Sequence, residues 1–347
     1  MGRRRSLSGI GLLVKTHAFG DSLLATPAAT ELVRRGGRWW ALCGPSAAAV
    51  WERLPGLERV LVAPFPFRGP AGLLRLGLWS LGKRKDLRAV ERSVVFAESG
   101  FTRRWVRFLT GSVMRSGGSE PLGEWERCVG FDPWAFAGRT YADIAGVDPS
   151  QYRPIFPLRA EEESFAAKRL PSGRPWVAVA PGGACNPRDT VPQKRWPPER
   201  FAALVDRLFE TGFSVVLLGG RGDVGISASV SNRSSCDPLD LTGTTDWGRT
   251  AAVISRCRGF LGVDTGTAHL AVAVGVRPVL LFGPTNPDSL YDPRAIVAVG
   301  TDAECAPCYS NSVFPGCSRR RGDCMERISV DQVWSALKEE LDENSGS

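Results

Sequence analysis

Four short stretches of the sequence contain small and acidic residues, which are the residue types that can bind phosphates or transfer protons. Small residues let backbone amides approach a diphosphate closely, and the N-terminus of a helix attracts anions. An aspartate beside such amides can accept a proton from a hydroxyl group. The four stretches are Gly20-Asp21-Ser22, Pro181-Gly182-Gly183-Ala184, Gly219-Gly220-Arg221-Gly222-Asp223 and Gly262-Val263-Asp264-Thr265-Gly266-Thr267-Ala268-His269.

Single residues in these stretches each have a structural and a chemical interpretation. Asp21 is either a helix cap or a general base toward a sugar hydroxyl. Asp223 is either a turn residue or an acceptor for ribose hydroxyls. Lys194, followed by Arg195-Trp196-Pro197, is either solvated or neutralises a phosphate. Asp264 can orient a sugar or hold its loop, and His269 can be structural or line the ligand loop.

The elements that must position these residues are predicted by apolar runs of strand length. Residues 10–14, 39–42, 57–62 and 93–97 predict strands in the first half, and 22–35 predicts a helix. In the second half, 176–180, 215–218, 259–263 and 278–282 predict strands, with helices at 198–212, 249–257, 269–274 and 331–341. Strands that alternate with helices form parallel α/β sheets, which bind ligands at the carboxyl ends of their strands.

A proline-punctuated segment separates the two halves. Prolines at positions 149, 154, 157, 171 and 175 interrupt the pattern, and the alternation resumes after them. Such punctuation is typical of a linker. We therefore expect two doubly wound domains, residues 1–155 and 156–341.

The order and combination of the motifs resemble glycosyltransferase family 9, the ADP-heptose:lipopolysaccharide heptosyltransferase family. The resemblance runs over nearly the whole chain and is carried by residues 20–28, 181–184, 194–197, 262–271 and 282–285. It implies a GT-B fold, in which two Rossmann-like doubly wound domains face an interdomain cleft. It also implies that residues 1–155 bind the acceptor and residues 156–341 bind the nucleotide sugar.

The resemblance further implies a reaction and a set of roles. The reaction is inverting, metal-independent transfer of a heptose or related sugar from a nucleotide diphosphate, with ADP-heptose as the expected donor. The acceptor is a lipopolysaccharide core or similar anionic glycolipid, no catalytic cofactor is required, and Asp21 is the base, flanked by Gly20 and Ser22. The implied donor-binding residues are Gly182, Gly183, Lys194, Asp223, Asp264, Thr265, Gly266, Thr267 and His269.

Two other functions remain open on this fold. One is a nucleotide-sugar epimerase or hydrolase, which would not need a basic N-terminal half. The other is a non-catalytic nucleotide-sugar binder, which would have no use for Asp21. A nucleic-acid partner is not expected, because no basic stretch is interleaved with aromatic residues in the manner of a nucleic-acid module.

Positive charge is concentrated in the first part of the chain. The formal net charge is +8, and residues 1–150 contain 22 Lys and Arg against 13 Asp and Glu. Residues 68–92 interleave leucines with basic residues, which fits either a helix lying on an anionic membrane or a surface helix packed on the sheet. The apolar run after Arg3-Arg4-Arg5 is too short for a signal peptide, and none reaches the roughly 20 residues of a membrane span. We expect a cytoplasmic protein in peripheral contact with the inner membrane surface.

Four cysteines are clustered near the C-terminus. Cys305, Cys308, Cys317 and Cys324 have the spacing C-x2-C-x8-C-x6-C. The first pair matches the usual spacing of zinc ligands, and the second pair is wider. A structural zinc site and ordinary thiols both remain open.

Overall fold

The computed structural model describes residues 9–97, 99–111, 114–121, 126–132, 134–149, 152–183, 191–309, 316–317 and 323–343. The chain divides into two compact units, residues 1–155 and 156–347. No helix in the described ranges combines the length and the apolar composition needed to cross a bilayer.

The described residues of the first unit form a six-stranded parallel sheet with the strand order β3-β2-β1-β4-β5-β6. Its central strand, β1, is buried along its whole length. The strands are β1 (Ile10–Lys15), β2 (Arg38–Cys43), β3 (Leu57–Val62), β4 (Val90–Val95), β5 (Arg115–Gly117) and β6 (Arg127–Val129). The helices are α1 (Phe19–Arg34), α2 (Ala48–Trp51), α3 (Gly69–Leu87), α4 (Gly100–Thr110) and α5 (Ala137–Ala145).

The described residues of the second unit form another six-stranded parallel sheet, with the order β12-β11-β10-β7-β8-β9. The strands are β7 (Trp176–Ala180), β8 (Ser214–Leu217), β9 (Leu239–Asp240), β10 (Gly259–Val263), β11 (Pro278–Phe282) and β12 (Val297–Gly300). The helices are α6 (Ala160–Arg169), α7 (Pro198–Glu210), α8 (Val224–Ser231), α9 (Trp247–Ser255), α10 (Gly266–Val274), α11 (Asp323–Glu326) and α12 (Val330–Glu343).

The two sheets have the same topology. Counted within its own unit, each has the strand order 3-2-1-4-5-6, which is that of a doubly wound Rossmann sheet. The direction of winding reverses between β1 and β4 in the first unit and between β7 and β10 in the second. Ligands of open α/β sheets bind at the carboxyl ends of the strands at this switch point. The predicted doubly wound α/β architecture is confirmed.

Continuous apolar runs explain why the central strands form. Every residue of β10 and of β11 is buried, as expected for parallel strands covered by helices on both faces. Trp196 and Phe201 pack edge to face with their ring centroids 4.9 Å apart. This core fixes the loops that follow β7 and β10.

Several predicted boundaries were wrong by a few residues. The strand predicted at 93–97 is β4, Val90–Val95, and the helix predicted at 269–274 begins three residues earlier, at Gly266. The first helix begins at Phe19, so Asp21 lies inside its first turn and Ala18 is the N-cap residue. Apolar periodicity detects only the buried face of a helix, and it misses first turns made of small residues.

Candidate functional site

The first candidate region lies where β1 ends and α1 begins. Ala18 makes the turn with φ 63° and ψ 120°, a conformation that side chains rarely adopt. The backbone amide and the hydroxyl of Ser22 both donate to the carbonyl of Ala18, at 3.1 Å and 2.9 Å. Gly20 occupies the first turn of α1. These contacts fix the start of α1 and place Asp21 at the switch point of the first sheet.

Asp21 is held by a buried lysine. The ammonium group of Lys15, the last residue of β1, donates to Asp21 Oδ2 at 3.2 Å and to the hydroxyl of Tyr141 at 3.0 Å. The Lys15 side chain is 8% exposed, whereas that of Asp21 is 39% exposed. Burial alone would lower the pKa of Lys15, but the Asp21 carboxylate and Tyr141 outweigh it and raise that pKa. The result is an anchored carboxylate that solvent can still reach.

Tyr141 is fixed by aromatic neighbours. It lies on α5, and its ring packs edge to face against Phe96, which follows β4, and against Phe131. The centroid distances are 5.7 Å and 5.8 Å. Lys15 and Tyr141 therefore form a rigid support beneath Asp21.

The second candidate region lies at the carboxyl end of β10. The Lys194 ammonium group donates to Asp264 Oδ2 at 2.8 Å, and both side chains are less than 10% exposed. The hydroxyl of Tyr291 donates to Asp264 Oδ1 at 3.2 Å. Burial alone would raise the pKa of Asp264, but Lys194, His269 and the two hydrogen bonds lower it below its ordinary value. The pair is a buried salt bridge.

Aromatic rings surround this salt bridge. His269 stacks on Tyr291 with a centroid distance of 4.4 Å and an interplanar angle of 11°. Its Nε2 lies 4.0 Å from Asp264 Oδ1. Lys194 Nζ lies 4.3 Å from the centroid of the Tyr309 ring, a cation–π distance. The rings shield the pair from water, which strengthens its electrostatic attraction.

The sequence interpretation missed Lys15 and the tyrosines of both regions. The chain has only four tyrosines, and three of them, Tyr141, Tyr291 and Tyr309, contact one of the two lysines or Asp264. Their scarcity was a usable signal. The residues that these tyrosines contact, however, are far away in sequence, so no local motif predicts the contacts.

Asp223 ties together the loops that follow β7 and β8. Its Oδ1 accepts the amide hydrogen of Gly183 at 2.9 Å, and its Oδ2 accepts that of Gly220, also at 2.9 Å. A Cβ on Gly182 would lie 2.3 Å from Cγ of Asp223, so only glycine fits there. Asp223 thus has a structural role in the loops after β7 and β8, and the expected ribose contact stays a prediction.

The start of α10 packs against Gly183. Thr265 is the N-cap residue, and its hydroxyl is hydrogen-bonded to that of Thr267 at 2.7 Å. Gly183 has φ +117°, and a Cβ there would lie 2.4 Å from the Thr265 methyl group. The Gly266 amide lies in the first turn of α10, where unpaired N–H groups attract anions. Ala184, the last residue of the Gly-Gly motif, lies outside the described residues.

The structure thus brings the candidate donor residues together within the second unit. Gly182, Gly183 and Asp223 join at the loops after β7 and β8, while Lys194, Asp264 and His269 cluster at the end of β10. The first unit places Gly20, Asp21 and Ser22 on one turn of α1.

The four C-terminal cysteines differ in exposure. Cys305 is exposed, Cys308 and Cys317 are half-buried, and Cys324 is buried. Burial raises the pKa of Cys308, and the thiols of Cys305 and Cys317 raise it further. Within the described ranges, no group of three or more His, Cys, Asp or Glu side chains is placed to hold a metal ion. Residues 310–315 and 318–322, between these cysteines, lie outside those ranges, and the zinc site stays a prediction.

Comparison with known proteins shows to which family this chain belongs. The profile of glycosyltransferase family 9 (heptosyltransferase) matches residues 139–315, just over half of the chain. Lipopolysaccharide heptosyltransferase 1 of Pseudomonas aeruginosa is 29% identical over 328 residues, covering 87% of this chain and 86% of that protein.

Solved structures agree on the fold. A family 9 glycosyltransferase from Veillonella parvula superposes with a TM-score of 0.78 at 19% identity, covering 98% of this chain and 99% of its own. The E. coli heptosyltransferase WaaC, solved with ADP, superposes with a TM-score of 0.69 at 16% identity, covering 95% and 99%. The fold is the GT-B type with two Rossmann-like domains, and the chain belongs to glycosyltransferase family 9.

Proposed function

We propose that this glycosyltransferase transfers a heptose, or a related sugar, from ADP-heptose to a lipopolysaccharide core or similar glycolipid, with inversion and without a catalytic metal. The observation that carries the proposal is the half-exposed Asp21 carboxylate, which a buried ammonium group holds at the switch point of the first sheet. The names of the relatives support the sugar and the acceptor, and the ADP of the E. coli structure supports the donor nucleotide.

Asp21 is the proposed base. Lys15 fixes one carboxylate oxygen by a charge-assisted hydrogen bond, and the exposed part of the side chain faces solvent. The acceptor hydroxyl gives its proton to Asp21 while its oxygen attacks the anomeric carbon of the donor. The bond between that carbon and the diphosphate oxygen breaks in the same step, and ADP leaves. One displacement inverts the anomeric centre.

The second unit is the proposed binder of the leaving diphosphate. The ammonium group of Lys194 has three donor hydrogens, and one of them is used on Asp264. The other two and the N-terminus of α10 can stabilise the negative charge that grows on the diphosphate. Asp264 is then a positioning residue for Lys194, since its buried oxygens are already engaged by Lys194 and Tyr291.

The test measures ADP release from ADP-heptose and from a panel of nucleotide sugars, with and without a truncated lipopolysaccharide core acceptor. Asp21→Asn keeps an oxygen for Lys15 but cannot take the proton, so the acceptor-dependent rate should fall by about 10²- to 10⁴-fold. Glu31→Gln is the matched control, because Glu31 lies on the same helix in surface ion pairs with Arg34 and Arg35. Its rate should stay within about twofold of wild type.

Other outcomes identify the competing functions. ADP release that needs no acceptor would indicate a hydrolase, and interconversion of the sugar without release of ADP would indicate an epimerase. Tight donor binding without turnover on any acceptor would indicate a binder, and Asp21 would then have only its place in the first turn of α1.

Metal independence has its own test. Protein treated with EDTA should transfer sugar at the untreated rate, because the proposed charge stabilisation comes from Lys194 and backbone amides. A lost rate that Mg²⁺ or Mn²⁺ restores would contradict the proposal. A structural zinc on the four cysteines would instead appear as bound metal and as a lower melting temperature after chelation.

A further inference from the structure

Helix α3 has two apolar faces. Leu76, Ser80 and Leu87 are buried, and Trp105 Nε1 donates to the Ser80 hydroxyl at 2.9 Å. This face packs on the core of the first unit, where Leu76 and Leu87 join the same cluster as Val14. One of the two interpretations of residues 68–92, a surface helix packed on the sheet, is therefore confirmed for this face.

The opposite face is apolar as well. Leu74, Leu78 and Leu81 have the spacing i, i+4, i+7, so they form one stripe along the helix. Each is more than 60% exposed. Packing within the first unit explains the inward face and leaves this outward stripe unexplained.

Helix α4, whose Trp105 contacts Ser80 on the inward face of α3, carries exposed apolar side chains as well. Phe101 and Phe108 are both exposed on that helix, and the guanidinium of Arg84 on α3 lies 4.4 Å from the centroid of the Phe108 ring. We call this area the α3–α4 surface, and its apolar members are Leu73, Leu74, Leu78, Leu81, Phe101 and Phe108. Of the eleven large apolar side chains exposed in the described part of the chain, these six and Met114 lie between positions 73 and 114. Such concentration marks an interaction surface and not scattered exposure.

The charge around these side chains has one sign. Residues 69–88 contain five basic side chains and a single acidic one, Asp86, which forms an ion pair with Arg59 at 3.0 Å. Helix α4 contains no acidic residue, and its exposed positions include Arg104 and Arg107. The basic residues of the α3 segment are Arg75, Lys83, Arg84, Lys85 and Arg88.

We propose that the α3–α4 surface docks onto an anionic phospholipid bilayer. Leucine and phenylalanine side chains then enter the boundary between headgroups and acyl chains, and the flanking Lys and Arg side chains bind lipid phosphates. A second copy of this chain is a poorer occupant, because it would bring two equally basic surfaces together. The proposal goes beyond sugar transfer and does not depend on it, since docking needs neither donor nor acceptor.

The test is co-sedimentation of the full chain with vesicles, in the absence of nucleotide sugar. Vesicles of phosphatidylcholine with phosphatidylglycerol should bind the protein, and vesicles of phosphatidylcholine alone should bind it at least about 10-fold less. Leu74→Glu/Leu78→Glu should lower binding to the anionic vesicles by at least about 10-fold, because two anchors become like-charged with the lipid.

The matched control is Phe209→Glu. Phe209 on α7 in the second unit is 44% exposed, close to the 43% of Phe101 and the 46% of Phe108 on α4. Its replacement should leave binding within about twofold of wild type. Unchanged thermal unfolding of both variants would show that they fold.

Four results would overturn the proposal. The first is wild-type protein that does not bind anionic vesicles. The second is a double variant that binds as wild type does, and the third is a loss of the same size in Phe209→Glu. The fourth is a wild-type dimer that the double variant dissociates while vesicles remain unbound, because the surface would then be occupied by a second copy.

Discussion

Two lysine–aspartate pairs lie beside the switch points of two sheets of the same topology, one after the first strand of its unit and one after the fourth, and they differ chiefly in burial. Lys15 with Asp21 lies at the end of β1, with a nitrogen–oxygen distance of 3.2 Å. Lys194 with Asp264 lies at the end of β10, at 2.8 Å. Both lysines are buried, but Asp21 is 39% exposed and Asp264 only 9%.

Burial decides what each aspartate can do. A half-exposed carboxylate held at one oxygen can still meet an acceptor hydroxyl, which a general base requires. A buried carboxylate whose oxygens are taken by Lys194 and Tyr291 is better suited to hold a cation in place. On the proposed mechanism, the same two residue types would serve proton transfer in one unit and cation positioning in the other.

The largest expected loss of stability follows from breaking the buried Lys194–Asp264 pair. Lys194→Met leaves Asp264 charged and without its main partner, and removal of one member of a buried pair costs about 3–5 kcal/mol of unfolding free energy. Urea unfolding measures the loss. Arg207→Met is the control, because the exposed pair of Arg207 with Asp331 should contribute at most about 1 kcal/mol. Equal losses in the two variants would refute the distinction by burial.

The next effect concerns the support beneath Asp21. Lys15→Met should lower kcat by roughly 10²-fold through misplacement of the base, while KM for the donor stays near wild type. Lys15→Arg, which keeps the charge, should recover part of the rate. A rise in donor KM with kcat unchanged would instead place Lys15 in donor binding.

A third prediction concerns the stability of the folded protein at acidic pH. Because the pKa of Asp264 is lowered in the folded protein, its contribution to stability is present above about pH 4 and is lost as pH falls through the folded pKa. Wild type should therefore lose more unfolding free energy below pH 4 than Asp264→Asn, by about 1.4 kcal/mol for each unit by which the pKa is lowered. Parallel curves for the two proteins would contradict the ionised pair.

The smallest effect concerns the turns before the two helices. Ala18 adopts a positive φ before α1, whereas Thr265 caps α10 with an extended backbone and a side-chain hydrogen bond. Ala18→Gly should stabilise the protein by about 0.5–1 kcal/mol, since relief of strain exceeds the added entropy of the unfolded chain. Calorimetry would show the change, and a lower melting temperature would argue against strain at this turn.

The sequence predicted the features that depend on local pattern. The apolar runs predicted strands β1, β7 and β10. The small residues after those runs predicted the loops that carry Asp21, Gly183 and Asp264. The two-sided character of α3 was visible only as two competing interpretations, because burial cannot be assigned to a face before the fold is known.

The sequence could not predict contacts between distant positions. Lys15 and Tyr141 are 126 positions apart, and Lys194 and Asp264 are 70 apart. Lys15 ends a strand and gives no local sign of chemistry. For Asp223 the sequence left a turn residue and a ribose contact open. The structure shows its carboxylate accepting from the amides of Gly183 and Gly220, and the ribose contact stays a prediction.

The most direct measurement compares Asp21→Asn with Asp264→Asn in the same two assays, acceptor-dependent ADP release and urea unfolding. We expect Asp21→Asn to lose about 10²- to 10⁴-fold in rate, and to lose less stability than Asp264→Asn because solvent reaches the Asp21 side of its pair with Lys15. We expect Asp264→Asn to lose about 3 kcal/mol or more of stability, since it leaves the Lys194 charge buried. An Asp21→Asn protein that keeps the wild-type rate would contradict the assignment of Asp21 as the base.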